Sequence, residues 1–251
     1  NPLPRWWMVL FVVTVVFSVI YLWLYPGLGS AKGSLNWTST GQYEAEQARA
    51  RAAIAPLYAR FAAMDEKQLA ADVQAMAIGE RLFINNCAAC HGSDGRGSKG
   101  FPNLTDSDWL WGGSFADVQK TITEGRNGVM PPMAEAIGGG DNVRNIAQYV
   151  LSLAGSPHDS VAAQLGKPKF AVCAACHGPE GKGNPAVGAP NLTDKVWLHG
   201  WGEEAIAAMV NNGKNNAMPA QASRLTPEQI RVLAAYVLRL SQGTTKVAAN
   251  P

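Results

Sequence analysis

The sequence predicts a mainly α-helical chain: one N-terminal transmembrane helix, a helical linker, and two tandem copies of one small domain. Three observations carry this. No charged side chain occurs between Trp6 and Ser30. An Ala-rich run follows, rich in strong helix formers. The remainder of the chain repeats itself, and each copy carries the same five residues, Cys87-Ala88-Ala89-Cys90-His91 and Cys173-Ala174-Ala175-Cys176-His177.

The apolar core from Trp7 to Tyr25 is long enough, at about 1.5 Å per residue, to cross a hydrocarbon layer of roughly 30 Å. Trp6 and Trp7 at one end, and Tyr21, Trp23 and Tyr25 at the other, suit the two membrane interfaces. Thr14 and Ser18 can bond back to their own helix, and Pro26-Gly27 ends the span. A cleaved signal peptide would have a shorter core and a small-residue cleavage site, so residues 1–31 are expected to be a retained anchor. The chain begins at Asn1 rather than Met, compatible with a preceding segment. The linker, 32–69, opens with a Gly/Ser/Thr loop. It continues in a helical run from Gln42 to Met64, which Pro56 should kink or divide in two. Both a spacer and a docking surface for partner subunits are open readings of this run. A further helix is expected from Glu66 to Asn85, with Leu69, Val73, Met76 and Ala77 on its apolar face.

The repeat sets the remaining boundaries: copy one at 70–155, copy two at 156–245, and a tail at 246–251. Pro102-Asn103-Leu104-Thr105-Asp106 matches Pro190-Asn191-Leu192-Thr193-Asp194, Trp109 matches Trp197, and Met130-Pro131 matches Met218-Pro219. Asn103 and Met130 are 27 positions apart, as are Asn191 and Met218. The copies differ by two residues in the Gly-rich loop after the His. The last helix of each copy is expected around Asn142–Ala154 and Pro227–Ser241, the second opening on a Thr226 cap with Pro at its first position. Tyr149 and Tyr236 should meet the helix preceding each Cys motif, with Gly79 and Phe83 at the crossing in the first copy and Gly166 and Phe170 in the second. The formal net charge is +2, which argues against a nucleic-acid binder.

C-x-x-C-H is the attachment signature of c-type haem: two thiols add to the haem vinyl groups, and the adjacent His ligates iron. All four Cys lie in the two motifs, so no further Cys remains for a zinc site or a disulfide scaffold. A thioredoxin-like pair has no use for the repeated His. Two covalently bound haem c groups are expected, on Cys87, Cys90, Cys173 and Cys176, with His91 and His177 as proximal ligands. Met130 and Met218 are the natural second ligands, since a thioether raises the potential and the following Pro biases each to extended backbone. Met133 ranks after Met130. Trp109 and Trp197 should pack against haem and exclude water. A haem-ligating His usually donates its other N–H to a carbonyl, which Pro102 and Pro190 could supply; a plain rigid turn is the alternative. His199 aligns with Trp111 and is read as a surface or supporting residue. His158 lies in the junction and is expected to be exposed. Ligation by either His stays open. No catalytic acid–base pair is evident.

These features resemble class I cytochrome c domains across roughly residues 70–245. Asn1-Pro2-Leu3-Pro4-Arg5-Trp6-Trp7 before a membrane span, followed by two such domains, resembles the di-haem cytochrome c subunit of cbb3-type cytochrome c oxidases. The resemblance implies that the Pro102 and Pro190 carbonyls accept from the haem His rings. It implies an anchor in the bacterial inner membrane, a cytoplasmic N-terminus and periplasmic haem domains. Its partners would be a small cytochrome c donor, soluble or membrane-bound, and the mono-haem and catalytic haem-copper subunits; oxygen reduction would lie in another chain. The rivals are a di-haem carrier for another respiratory reductase, and a haem peroxidase or gas sensor with a displaceable distal ligand.

Overall fold

A computed structural model describes residues 2–27 and 29–247, with side chains through residue 242. Asn1 and Leu28 of the expected anchor, and residues 248–251 of the expected tail, lie outside the described residues. The chain forms two compact units, 1–59 and 60–251.

The first unit opens with α1 (Arg5–Leu24), which is apolar throughout and buries no residue in the protein. Twenty residues at about 1.5 Å each give the length of a membrane crossing. Thr14 and Ser18 donate to the Phe11 and Thr14 carbonyls at 2.8 Å, so their hydroxyls are satisfied within the helix. The loop after α1 folds back: the Ser34 and Leu35 amides donate to the Trp23 and Leu24 carbonyls, which a helix end leaves free. Next comes α2 (Ser39–Ala62). The expected division at Pro56 does not occur. Pro56 is exposed within one assigned helix.

The second unit begins with α3 (Glu66–Ala71) and α4 (Val73–Asn86), where one helix was expected. Asp72 divides them: its backbone is extended, and its side chain accepts from the Ala75 amide as the cap of α4. The break resets the helical phase. Leu69 and Met76 are buried as expected, but Val73 is 82% exposed. The chain continues through α5 (Ala88–His91), α6 (Phe115–Glu124), β1 (Arg126–Met130) and α7 (Asp141–Leu153). The second copy follows with α8 (Ser160–Gly166), a 3-10 turn (Lys167–Phe170), α9 (Ala171–His177), α10 (Glu203–Asn212), β2 (Lys214–Met218) and α11 (Pro227–Val247). Thr226 and Gln229 cap α11 reciprocally.

The two copies exchange their last helices. Helix α7 of the first copy packs on α8, the 3-10 turn and α10 of the second. Helix α11 of the second packs on α3, α4 and α6 of the first. The anticipated crossings therefore form with the opposite partners. Tyr236 lies on Gly79 and Phe83, its ring 5.7 Å from that of Phe83. Tyr149 lies on Phe170, rings 5.2 Å apart, and Gly166 faces the α7 backbone at Asn145. Polar contacts follow the same exchange. Gln148 on α7 donates to Glu203 and accepts from the Asp159 amide, and Arg144 pairs with Asp159 at 3.0 Å. Arg231 on α11 donates to the Met64 carbonyl and lies over the Phe115 ring.

Between the exchanged helices runs a two-stranded antiparallel ribbon. β1 pairs with β2, Gly128 opposite Asn216, Met130 opposite Lys214 and Met218 opposite Arg126. The Met133 amide donates to Val210, and the Gln221 amide to Ile122. Each residue of one pair lies 88 positions from its counterpart in the other, so the copies meet about a local pseudo-twofold.

His199 lies beside this ribbon. It is half-buried, and the Asn216 side-chain amide donates to its Nε2 over 2.9 Å. Burial, then Lys214 and Lys99, depress its pKa below the ordinary value of 6.5. The neutral ring is the one that accepts from Asn216. A depressed folded pKa means stability present above the unfolded value and lost as pH falls through it toward the folded one. Acidification from about pH 7.5 to 5.5 should therefore loosen the ribbon. In His199→Gln the melting temperature should fall less over that interval than in the parent. Equal falls would show that His199 is not the group responsible.

Candidate haem-binding sites

The two motif histidines stand in the same local geometry. His91 closes α5 and is 9% exposed; His177 closes α9 and is 8% exposed. His91 Nδ1 lies 3.0 Å from the Pro102 carbonyl, and His177 Nδ1 lies 3.0 Å from the Pro190 carbonyl. A carbonyl can only accept, so Nδ1 carries the proton and donates. This leaves the Nε2 lone pair of each ring available to a metal and fixes the ring plane.

The loop between each His and its Pro is built for that bond. The Gly97 amide donates to the His91 carbonyl at 2.7 Å, and the Gly183 amide to the His177 carbonyl at 2.8 Å. Both glycines have positive φ, 69° and 83°. A Cβ at Gly97 would lie 2.3 Å from the Phe101 oxygen, and one at Gly183 would lie 2.6 Å from the Ala189 oxygen. No other residue lets the Pro segment approach so closely. The two-residue length difference lies in the next turn, closed at Ser98 and Phe101 in one copy and at Asn184 and Ala189 in the other. Asn103 and Asn191 then accept from the amides and hydroxyls of Thr105 and Thr193. These Gly and Asn roles were missed from sequence, although a Gly six residues after each His and an Asn directly after each Pro recur in both copies.

The four cysteines are unpaired thiols: Cys87 and Cys173 are half-buried, Cys90 and Cys176 exposed. Burial and then the adjacent Cys90 push the Cys87 thiol up to about 11, and burial raises Cys173 as well. A thiol redox pair needs the opposite shift. Among the described residues no three His, Cys, Asp or Glu side chains are grouped to hold a metal ion. The exposed second Cys of each motif and the free Nε2 beside it fit a covalently attached haem.

Around the second motif, Met130, Met133, Tyr149, Cys173, Ala174, Leu192 and Trp197 all pack on one apolar cluster of α7, α10 and Phe170. Trp197 has its Nε1–H buried with no acceptor. A buried orphan donor is costly, and a haem carboxylate would supply the missing acceptor. Trp109 is half-buried, its ring lying against the Gly113 backbone. Met130 and Met218 are half-buried ends of the ribbon strands. His158 is exposed and its Nδ1 bonds the Ser156 carbonyl.

A family model described as cytochrome c oxidase, cbb3-type, subunit III matches residues 74–150 and 167–237. The chain belongs to the subunit III family of cbb3-type cytochrome c oxidases. The model of the N-terminal domain of cytochrome oxidase-cbb3, FixP, matches residues 1–32 of this subunit III chain. Among its relatives, the cbb3-type cytochrome c oxidase subunit CcoP of Rubrivivax gelatinosus is 66% identical over 99% of the chain and 82% of its own length. Subunit FixP of Azorhizobium caulinodans is 40% identical over 97% of the chain and 89% of its own length. Subunit CcoP of Cereibacter sphaeroides is 35% identical over 97% and 90%. This subunit III chain is a membrane-anchored di-haem cytochrome c electron-transfer subunit with two haem c.

Proposed function

We propose that the chain relays electrons from a small cytochrome c donor toward the oxygen-reducing subunit of a cbb3-type oxidase. The supporting observation is the twice-built site: a C-x-x-C pair, and a His whose Nδ1 is committed to a Pro carbonyl at 3.0 Å. In this reading Cys87, Cys90, Cys173 and Cys176 form the thioethers, and His91 and His177 ligate through Nε2. Met130 and Met218 would supply the second protein ligands, one per haem. Haem c, when bound, supplies a one-electron iron couple. With a His and a Met held toward each iron, no substrate would bind there and little would reorganise on reduction. Pro102 and Pro190 fix the proximal rings and raise their basicity, while Trp109 and Trp197 exclude water.

In this reading the haem domains face the periplasm from the inner membrane and the N-terminus is cytoplasmic, because c-type haem is attached outside the cytoplasm. Partners are the mono-haem and haem-copper subunits. Domain limits of 70–155 and 156–245 describe the haem-binding copies along the chain. The test is recovery in mild detergent from native membranes. A haem-copper subunit should co-purify, and donor cytochrome c should reduce both haems before oxygen is consumed. Recovery with a different respiratory reductase, and no haem-copper subunit, would overturn the assignment.

A further inference from the structure

The two helix crossings are built from equivalent residues but carry different charges. In the first, Gly79-Glu80-Arg81-Leu82-Phe83 holds one acid and one base, and α11 brings Arg239 three residues after Tyr236. The Tyr236 hydroxyl titrates above its ordinary range because of burial and then Glu80, with Arg239 opposing, so an acid and a base both stand near that ring. In the second crossing the same five positions read Gly166-Lys167-Pro168-Lys169-Phe170, two lysines and no acid. Where α11 has Arg239, α7 has Ser152, and its hydroxyl turns back to donate to the Tyr149 carbonyl at 2.6 Å. The acids of the surrounding elements are already engaged. Glu180 pairs with Lys182 at 2.6 Å, and Asp159 and Glu203 pair with Arg144 at 3.0 and 3.5 Å. Among the described residues no carboxylate pairs with Lys167 or Lys169, and both lysines are exposed.

This second crossing also opens into a groove. Tyr149, Lys167, Pro168, Ala171, Ala174 and Pro179 line about 630 Å³ of open space. Its wall is mostly apolar, and Val172, directly after Ala171, is 37% exposed. Ala174 sets the groove against the turn between Cys173 and Cys176. An apolar floor beside unpaired cations suits protein recognition: the floor supplies contact area, and rim charge sets encounter rate and partner choice.

We propose that this groove is the docking site for an acidic face of the electron-donor cytochrome c, whose carboxylates pair with Lys167 and Lys169. This rests on the electron-relay reading given under Proposed function. A merely structural neighbour could be held at any part of the surface. Contact at Ala174 brings the donor onto the chain segment that would be joined covalently to the haem on Cys173 and Cys176. The first crossing, with an acid and a base at Tyr236, offers a carboxylate no comparable field.

The experiment uses the full holo chain in detergent with two soluble c-type cytochromes, one acidic and one basic. A carbodiimide joins lysine amines to carboxylates that touch them, and peptide mass spectrometry locates the joins. The expected result is the acidic cytochrome joined through Lys167 or Lys169. At low ionic strength, Lys167→Glu should slow reduction of the chain by the acidic cytochrome roughly tenfold in the second-order rate constant, and high salt should abolish the difference. Glu80→Lys, at the matching exposed position of the first copy, should leave that rate constant unchanged. Joins at other lysines only, or a rate constant indifferent to Lys167→Glu, would overturn the docking site and leave the relay standing. Reduction by neither cytochrome would overturn the relay reading itself. Protection of Lys167 from amine reagents in the purified oxidase, before any donor is added, would show that another subunit fills the groove and would overturn the donor as its occupant.

Discussion

Gly166→Ala should destabilise the haem unit by about 3 kcal/mol or more, at the upper end of what overpacking costs. For a chain of this size that is a fall in melting temperature of roughly 6–12 °C. The backbone at Gly166 is ordinary right-handed helix, φ −73°, so alanine would by propensity alone be favoured by about 1 kcal/mol. What opposes it is the approach of α7. A Cβ would lie 2.1 Å from the Asn145 oxygen, 2.5 Å from its carbon and 3.0 Å from the Ile146 nitrogen. All three are backbone atoms, and no flexible side chain can move aside. The helices must separate, stripping packing from Ile146, Val150 and Phe170, each at most 5% exposed. Gly128→Ala is the matched control, because its Cβ would meet only the Trp111 ring at an ordinary 3.6 Å. Thermal unfolding of the holo chain, followed by circular dichroism, checks the pair. Equal melting of Gly166→Ala and the parent would show that α7 does not cross there.

On the methionine ligation proposed above, Gly213→Ala should remove about half of the methionine–iron charge-transfer intensity and lower the potential of one haem, because a thioether ligand is what raises it. Gly213 has φ +65°, where an L-residue pays roughly 1–2 kcal/mol. Its Cβ would also lie 2.5 Å from the Met130 oxygen and 2.7 Å from the Pro132 nitrogen. The strand end cannot tolerate this, and the Met130–Pro131 corner must shift. Gly125→Ala is its counterpart for Met218, with φ +73° and a Cβ 2.4 Å from the Met218 oxygen. Spectroscopic titration of the oxidised and reduced states reads both variants. An unchanged band and potential in both would detach these glycines from the distal ligands.

The sequence by itself determined whatever depends on residues close together along the chain. An uncharged run of apolar residues makes α1 wherever it lies, because backbone groups in a membrane must bond within the segment. The spacing of Cys87, Cys90 and His91 is that of one short helix. The repeat located Pro102 and Pro190, whose carbonyls do meet the histidine rings. One local reading failed, and one of two alternatives at Pro56 fell away, for local reasons that pattern alone does not weigh. Asp72 took a capping role and shifted the helical phase, exposing Val73. Pro56 proved tolerable on the solvent face of α2.

Only the tertiary structure decided which copy's helix meets which motif. Duplication makes Tyr149 and Tyr236, and the Gly79/Phe83 and Gly166/Phe170 pairs, chemically equivalent, so no local preference distinguishes a self contact from an exchanged one. The deciding feature is chain connectivity. Only residues 154–159 separate α7 from α8, and a link that short favours packing α7 on the helix just after it. Once α7 is held there, the first motif's helix lacks its own partner, and α11 is the equivalent helix that remains.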